Sequence, residues 1–480
     1  MRVKIILITA ALAGIGLLAW GVNFFRSWYE AGVHPSVPLS WLASWQPSSN
    51  TPSSSVSLWQ RALGWEEPRA YLVLFLNNTE LRPGGGFIGA YGLVEMNKGI
   101  PRLALIEGTE RLGSAVSGGD LPAPPEPLER YLKVKRWYFR DSNWSPDFAE
   151  SSRQGLDLLE KQRGKITPPI AGVIAFTPRV MEDIIRLTGP LEADGQRFTS
   201  DNFTERLQYE VEYGYASRGQ SFDERKNIMR DLGQQIFKRL ERNIIKNWRV
   251  YWQLGAGWLR EKQVMVFAVD PAEQAIVRSK GWSGELLGAS AADYLLWVDA
   301  NLGALKTDRA IERSLRYEIR PDQGKFIATA TMEYRHRGGF DWRTSRYRDY
   351  VRVFVPLGSH LTAVSGTNVG KGSAISLKDI GSGTELNRQW FGAFLAVEPG
   401  ATTVLSFTYQ LPGSLTQLIK SGAYRGTVQK QLGTIHHGLT LDFDFGKTVV
   451  TTTPPNQSKQ RARYQLTTDL SVDREFSVKF

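Results

Sequence analysis

Apolar positions along the chain fall into two textures. Between residues 70 and 270, short continuous apolar runs alternate with stretches in which apolar residues recur every three or four positions, and from residue 315 onward the prevailing period is two. Residues 71–76 read as a buried strand, residues 87–96 and 102–106 as a second and third, and residues 148–162 as a helix. Residues 172–176 read as another short strand, and residues 178–187 as an amphipathic helix closed by Gly189-Pro190. Strand alternating with helix predicts an α/β domain. Beyond residue 315, turns at Pro321-Asp322-Gln323-Gly324, Gly338-Gly339, Pro356-Leu357-Gly358 and Glu398-Pro399-Gly400 separate strands expected over residues 326–334, 351–355, 403–409 and 439–445, which predicts a β-sandwich. A polar segment, residues 451–463, precedes a last strand pair, and no repeat of fixed period occurs.

One segment follows neither texture. Residues 5–25 run for 21 positions without a charge, the length a helix needs to cross the hydrocarbon core of a bilayer. Arg2, Lys4 and the α-amino group precede it, while Arg26 after it is offset by Glu30, so the positive-inside rule places the N-terminus in the cytoplasm and the bulk of the chain outside it. Phe24, Phe25, Trp28 and Tyr29 stand where interface anchors stand, and no small-residue cleavage pattern follows, which predicts an uncleaved, single-pass signal anchor in the cell membrane. Pro35, Pro38, Pro47 and Pro52, with Ser53-Ser54-Ser55, resist packing and suit a stalk. The expected organisation is a signal-anchor transmembrane helix over residues 1–26, a stalk over 27–65, an α/β domain over 66–270, a helical connector over 271–312 and an all-β sandwich over 313–480.

Composition narrows the chemistry. With 480 residues, 42% of them hydrophobic, the chain can bury the cores of two or three domains, and its single long apolar run excludes a polytopic protein. It has no cysteine, which excludes disulfides, thiol nucleophiles and cysteine-held metal. Its five histidines (His34, His336, His360, His436 and His437) show no zincin spacing, so zinc is not expected, nor is haem or NAD. The net charge of +11 is concentrated: residues 225–262 carry ten basic and three acidic side chains, a balance of +7, interleaved with Trp248, Tyr251, Trp252 and Trp258. An extracytoplasmic position makes nucleic acid an unsuitable partner and favours anionic lipid headgroups, lipid-linked phosphates or acidic wall polymers. The same pattern also suits a solvated helix face with its tryptophans in the core.

Candidate chemistry sits in three segments. Asn77-Asn78-Thr79-Glu80-Leu81-Arg82-Pro83-Gly84-Gly85-Gly86 follows the first strand, where α/β sheets place binding loops, and its glycines would let backbone N–H groups approach a phosphate. It is not a Walker loop: no Gly-Lys-Ser/Thr closes it, and Gly370-Lys371-Gly372-Ser373 lacks the upstream glycine. A tight turn with Arg82 paired to Glu80 is the plainer alternative. Arg140-Asp141-Ser142-Asn143, with Asp147 close behind, sets a cation, two carboxylates and an amide before a helix. That set suits an oxyanion or a divalent cation, or else a helix cap through Asp141 or Asn143. Phe222-Asp223-Glu224-Arg225-Lys226 opens the basic stretch.

The run Leu72-Val73-Leu74-Phe75-Leu76-Asn77-Asn78-Thr79-Glu80-Leu81-Arg82-Pro83-Gly84-Gly85-Gly86-Phe87-Ile88-Gly89 resembles the bacterial domain of unknown function 4012 family. So do Arg140-Asp141-Ser142-Asn143-Trp144-Ser145-Pro146-Asp147-Phe148, Gly172-Val173-Ile174-Ala175-Phe176 with Leu187-Thr188-Gly189-Pro190, and Tyr350-Val351-Arg352-Val353-Phe354-Val355-Pro356-Leu357-Gly358-Ser359. That resemblance implies no activity. More distantly, the layout is similar to the LytR-CpsA-Psr phosphotransferases, single-pass extracytoplasmic α/β proteins that move glycopolymers from a polyprenyl-pyrophosphate carrier to peptidoglycan, usually with magnesium. Asn78, Glu80 and Arg82 stand where that family has an aspartate and an arginine after a strand, and Asp223, Arg225 and Lys226 resemble its final basic motif. Gly84-Gly85-Gly86 replaces a further aspartate, and Thr109-Glu110-Arg111 stands loosely for a proline-arginine-aspartate segment.

The resemblance implies an α/β domain of LytR-CpsA-Psr type. It also implies Arg82, Arg140, Asp141 and Arg225 as catalytic groups, Asn78, Glu80, Gly84, Gly85, Gly86, Asn143 and Lys226 as substrate contacts, and Asp141 and Asp147 as ligands of a magnesium ion. These groups are expected to converge at one end of the sheet on an anionic lipid-linked or cell-wall glycopolymer. The missing aspartate and the size of the β portion support a competing expectation, a non-catalytic envelope adhesion or assembly module.

Overall fold

In the computed structural model, the structure describes residues 61–98, 100–112, 121–221, 225, 227–243, 247–288, 292–366 and 377–480. The expected anchor over residues 1–26, residues 27–60 of the expected stalk, Asp223, Lys226 and Gly370-Lys371-Gly372-Ser373 lie outside them. No helix among the described residues is long and apolar enough to cross a membrane. The described residues divide into two units, each drawn from separate stretches of sequence: those within residues 61–76, 88–119 and 159–283 in the first, those within residues 77–87, 120–158 and 284–480 in the second. Its main helices are α1 (Glu126–Leu132), α2 (Phe148–Arg163), α3 (Pro178–Thr188), α4 (Phe203–Tyr209), α5 (Asn227–Asn243), α6 (Trp248–Arg260), α7 (Pro271–Ser279) and α8 (Gly413–Lys420).

The apolar run at residues 71–76 lies inside β1 (Arg69–Asn77), which joins β2 (Phe87–Asn97), β3 (Ile100–Gly108) and β4 (Ile170–Phe176) in the sheet of the first unit. A separate hairpin pairs β5 (Leu191–Ala193) with β6 (Gln196–Phe198), and β7 (Val264–Ala268) completes the sheet in the order β3-β2-β1-β4-β7. β1 runs parallel to β4, with Leu72 opposite Val173, and β7 returns antiparallel, with Val266 opposite Ile174. Helix periodicity supplies the cover. Val180 and Ile184 of α3, Ile228, Leu232, Ile236 and Leu240 of α5, and Tyr251 and Trp258 of α6 pack with Val73, Val94 and Ile174 in one core. The Trp258 ring N–H reaches Asp183 at 3.0 Å, so that its one polar atom is satisfied.

The second unit is a sandwich. Its strands are β8 (Asp293–Val298), β9 (Ile311–Asp322), β10 (Lys325–His336), β11 (Tyr347–Pro356), β12 (His360–Ser365), β13 (Gly381–Glu385), β14 (Arg388–Val397), β15 (Thr402–Gln410), β16 (Ala423–Gln429), β17 (Gly438–Asp444), β18 (Thr451–Thr453), β19 (Arg463–Asp469) and β20 (Arg474–Lys479). One sheet has the order β12-β15-β10-β9-β17-β19 and the other β13-β14-β11-β8-β16-β20-β18. Period-two alternation sets the core between them: Leu315, Tyr317 and Ile319 of β9 and Ala328, Ala330 and Met332 of β10 pack with Val351, Val353 and Val355 of β11 and Phe391, Ala393 and Leu395 of β14.

β11 departs from alternation because both of its faces are covered. Leu128, Tyr131, Trp137 and Trp144 pack on Ala300, Leu302, Tyr350 and Phe394, with the Tyr131 and Phe394 rings stacked 4.1 Å apart. That layer is why residues 120–158, expected within the α/β domain, group with the sandwich. The expected connector over residues 271–312 holds α7 but also β8, which sits between β11 and β16 in the middle of the seven-stranded sheet.

Candidate functional site

The loop between β1 and β2 belongs to the second unit, and its conformation follows from its own residues. Asn77 Oδ1 accepts from Thr79 N at 3.1 Å and from Thr79 Oγ1 at 2.7 Å, an Asx turn that starts the reversal, and Phe87 N closes it on Glu80 O at 2.9 Å. The glycine run then makes backbone pass against backbone. Gly86 has φ +146°, and a Cβ there would lie 2.7 Å from the Asn77 carbonyl; a Cβ on Gly433 would lie 1.9 Å from the Gly85 oxygen. Asn78 Nδ2 donates to the Gly433 carbonyl at 2.8 Å, fastening the same contact.

Arg82 is 3% exposed. One Nη donates to the Asn301 carbonyl, and the other meets Glu80 Oε1 at 3.1 Å and Asp141 Oδ1 at 3.9 Å. Burial pushes the Glu80 carboxyl above its ordinary range, opposed by Arg82 and Lys306 and aided by Asp141. Arg140, more exposed, rests on the Tyr138 ring and reaches Asp141 Oδ2 at 3.4 Å. Asn143 Nδ2 donates to the Gly86 carbonyl at 2.6 Å while its own carbonyl accepts from Gly84 N at 3.0 Å, so the two motif segments are stitched together through main chain. Arg82 Nε and Asn143 Oδ1 find no partner among the described residues.

Asp147 caps α2: its Oδ1 accepts from Glu150 N at 2.9 Å and its Oδ2 from Leu286 N at 2.8 Å. The cap therefore falls on Asp147, whereas the expected caps were Asp141 or Asn143. Burial raises its pKa and those backbone N–H groups lower it. A magnesium ion does not fit this set, because Asp141 faces two guanidinium groups and both Asp147 oxygens hold backbone N–H groups. Among the described residues no three histidine or carboxylate side chains gather into a group able to hold a metal ion.

Around these segments lies a layer that sequence reasoning did not single out. Asp308 Oδ2 accepts from Leu81 N at 2.9 Å and from Asn301 Nδ2 at 2.8 Å, and Gln431 Nε2 reaches the Arg82 carbonyl at 3.3 Å. Arg313 bridges Asp299 and Asp308, each at 2.6 Å, and donates to the Tyr347 hydroxyl at 2.7 Å. Asp349 is fully buried beside those two carboxylates, and neither of its oxygens meets an N–H or hydroxyl donor among the described residues. Burial first, then Asp299 and Asp308, drive its pKa well above the ordinary range. Arg352, from the fourth motif segment, lies over the Trp144 ring at 4.7 Å, donates to the Trp144 carbonyl and pairs with Glu385 at 3.2 Å. The available signal was charge in an otherwise apolar strand: Arg348-Asp349 and Arg352 interrupt β11, and Asp299 and Asn301 follow β8 directly.

The expected site residues are thus divided. Asn78, Glu80, Arg82, Gly84, Gly85, Gly86, Arg140, Asp141, Asn143 and Asp147 belong to the second unit, linked by the contacts above. Arg225 belongs to the first, where it pairs with Glu110 at 3.0 Å, and Lys226 is outside the described residues.

No curated protein is similar in sequence to this chain. Among solved structures, a protein from Legionella pneumophila named for nutrient binding is 9% identical, with an alignment covering 39% of this chain and 71% of that one at a TM-score of 0.27. An M1 zinc metallopeptidase from Deinococcus radiodurans is 12% identical over 36% of this chain and 42% of its own, at a TM-score of 0.18. Leukotriene A4 hydrolase from Saccharomyces cerevisiae is 7% identical over 36% and 29%, at a TM-score of 0.23. Likeness at this level carries no argument about function. The sequence itself is more informative: residues 66–211 match the family model described as Protein of unknown function (DUF4012), the family to which the motif segments point.

Proposed function

We propose that this protein is a membrane-anchored, extracytoplasmic component of the cell envelope, and that its second unit is a non-catalytic binding or assembly module. One observation carries the second half of that reading: the motif groups are taken up by the fold. Arg82 is buried on a backbone carbonyl and two carboxylates, Gly86 lies against the Asn77 backbone and Gly85 against Gly433, and Asp147 is a helix cap. A phosphotransferase needs donors aimed at the position of the transferring group, free of such internal duty. The anchoring half rests on the uncharged run at residues 5–25 and the charge balance around it. Envelope glycopolymer is the partner class that an extracytoplasmic, strongly basic chain favours.

The test is to incubate the full chain in vesicles with a polyprenyl-pyrophosphate glycan analogue and magnesium. Retention of the analogue without phosphate release is expected. Turnover that Arg140→Ala abolishes while the fold stays intact would overturn the module reading. That transferase of LytR-CpsA-Psr type is the second reading. It is favoured by the exposure of Arg140 and by the unpartnered Arg82 Nε and Asn143 Oδ1 beside it in the motif segments.

A further inference from the structure

α6 has two unlike faces. Tyr251, Leu254 and Trp258 pack into the core of the first unit, whereas Arg249, Gln253, Ala256 and Arg260, which fall on one helical stripe, are exposed, as is Val250 beside them. Arg249 lies over the Trp248 ring at 5.5 Å, and neither Arg249 nor Arg260 has an ion-pair partner among the described residues. Trp248 and Trp252, one turn apart and half-buried, flank the stripe, and the acid that follows it, Glu261, is itself partly covered.

Guanidinium groups with indoles beside them match the chemistry of an anionic bilayer surface: the cations meet phosphate, and the indoles sit at headgroup depth. The apolar face of α6 is already committed to the protein core, so the contact is shallow and electrostatic rather than insertion. Residues 27–60 join the expected anchor to the described chain, so the proposed anchoring keeps the first unit at high effective concentration over the membrane. We infer that the outer face of α6 docks on an anionic lipid bilayer, an inference that rests on the proposed anchoring. An acidic polysaccharide also offers anions to the arginines and sugar faces to the indoles; the proposed tether to the membrane favours the bilayer, and the test below separates the two.

The chain lacks cysteine, so Gln253→Cys gives a single labelling site on the full chain, and Ile100→Cys, at a position 70% exposed in the same unit, serves as control. Each labelled chain is reconstituted into vesicles of phosphatidylcholine, alone or mixed with phosphatidylglycerol, carrying a lipid quencher at headgroup depth. Quenching at position 253 should be at least about twofold stronger in the anionic vesicles, and should fall to the neutral level in high salt or with Arg249→Gln and Arg260→Gln, because the attraction decays over a Debye length. The label at position 100 should not respond. Equal quenching in both lipids overturns the inference, as does loss of quenching when a soluble acidic polysaccharide is added at matched charge. Failure of the chain to float with either vesicle overturns the anchoring reading instead.

Discussion

Arg82, Arg313 and Arg352 of the second unit and Arg249 and Arg260 of the first look alike in sequence and differ in everything that burial decides. The first three are almost withdrawn from water, each among carboxylates, carbonyls or aromatic rings that fix its position. The other two stand on an exposed helical stripe. A buried guanidinium must be fully compensated, because an unpaired ion or an unpaired partner in low dielectric costs several kcal/mol, whereas an exposed one keeps its water and remains available. The difference teaches that these buried arginines brace the second unit and that the exposed ones offer the surface.

The largest effect should come from Arg313→Met. It leaves Asp299 and Asp308 without their shared cation, and urea unfolding should report a loss of about 3–5 kcal/mol. Gly433→Ala comes next, since its Cβ overlaps the Gly85 oxygen at a positive φ of 72°; a loss of about 3 kcal/mol is expected from strain and displacement of the motif loop. A wild-type midpoint for either variant would remove the motif segments from the structural core.

A pH series sharpens the same contrast. Burial pushes Asp293 up to about 6 although the Tyr317 and Tyr424 hydroxyls and Tyr294 N favour its ionised form. Its folded pKa lies above the ordinary 3.8, so its contribution is fully present below about pH 4 and is lost as pH rises through about 6, at up to about 1.4 kcal/mol per pH unit. Asp293→Asn should flatten that slope in melting curves taken across the interval. The smallest effect belongs to Arg249→Gln with Arg260→Gln, expected to change unfolding free energy by no more than about 0.5 kcal/mol. A large loss there would show that the stripe is structural after all.

Much of the local structure was legible. The apolar runs at residues 71–76 and 172–176 lie within β1 and β4, and the helix expected over residues 178–187 lies within α3, because burial on one or both faces writes its period into adjacent residues. The grouping of segments was not. That residues 77–87 and 120–158 join residues 284–480 depends on contacts between positions far apart in sequence, such as Asp308 with Leu81 N and Arg352 with Trp144, which no local period encodes. For the candidate site, the sequence marked Arg82, Asp141, Asn143 and Asp147 as unusual without distinguishing a ligand contact from an internal one. A loop that binds phosphate and a loop that binds its own fold ask for the same residue types, glycine for close approach and charged or amide groups for N–H and C=O partners.

Equilibrium unfolding of Arg82→Ala beside the wild-type chain tests the account most directly. Removing this guanidinium leaves Glu80 and Asp141 facing each other and the Asn301 carbonyl without its donor, so a loss of about 3 kcal/mol is predicted, with the second unit affected first in hydrogen exchange. A variant that unfolds at the wild-type midpoint yet no longer retains the polyprenyl-pyrophosphate glycan analogue would contradict it, placing Arg82 in a ligand site rather than in the frame of the fold.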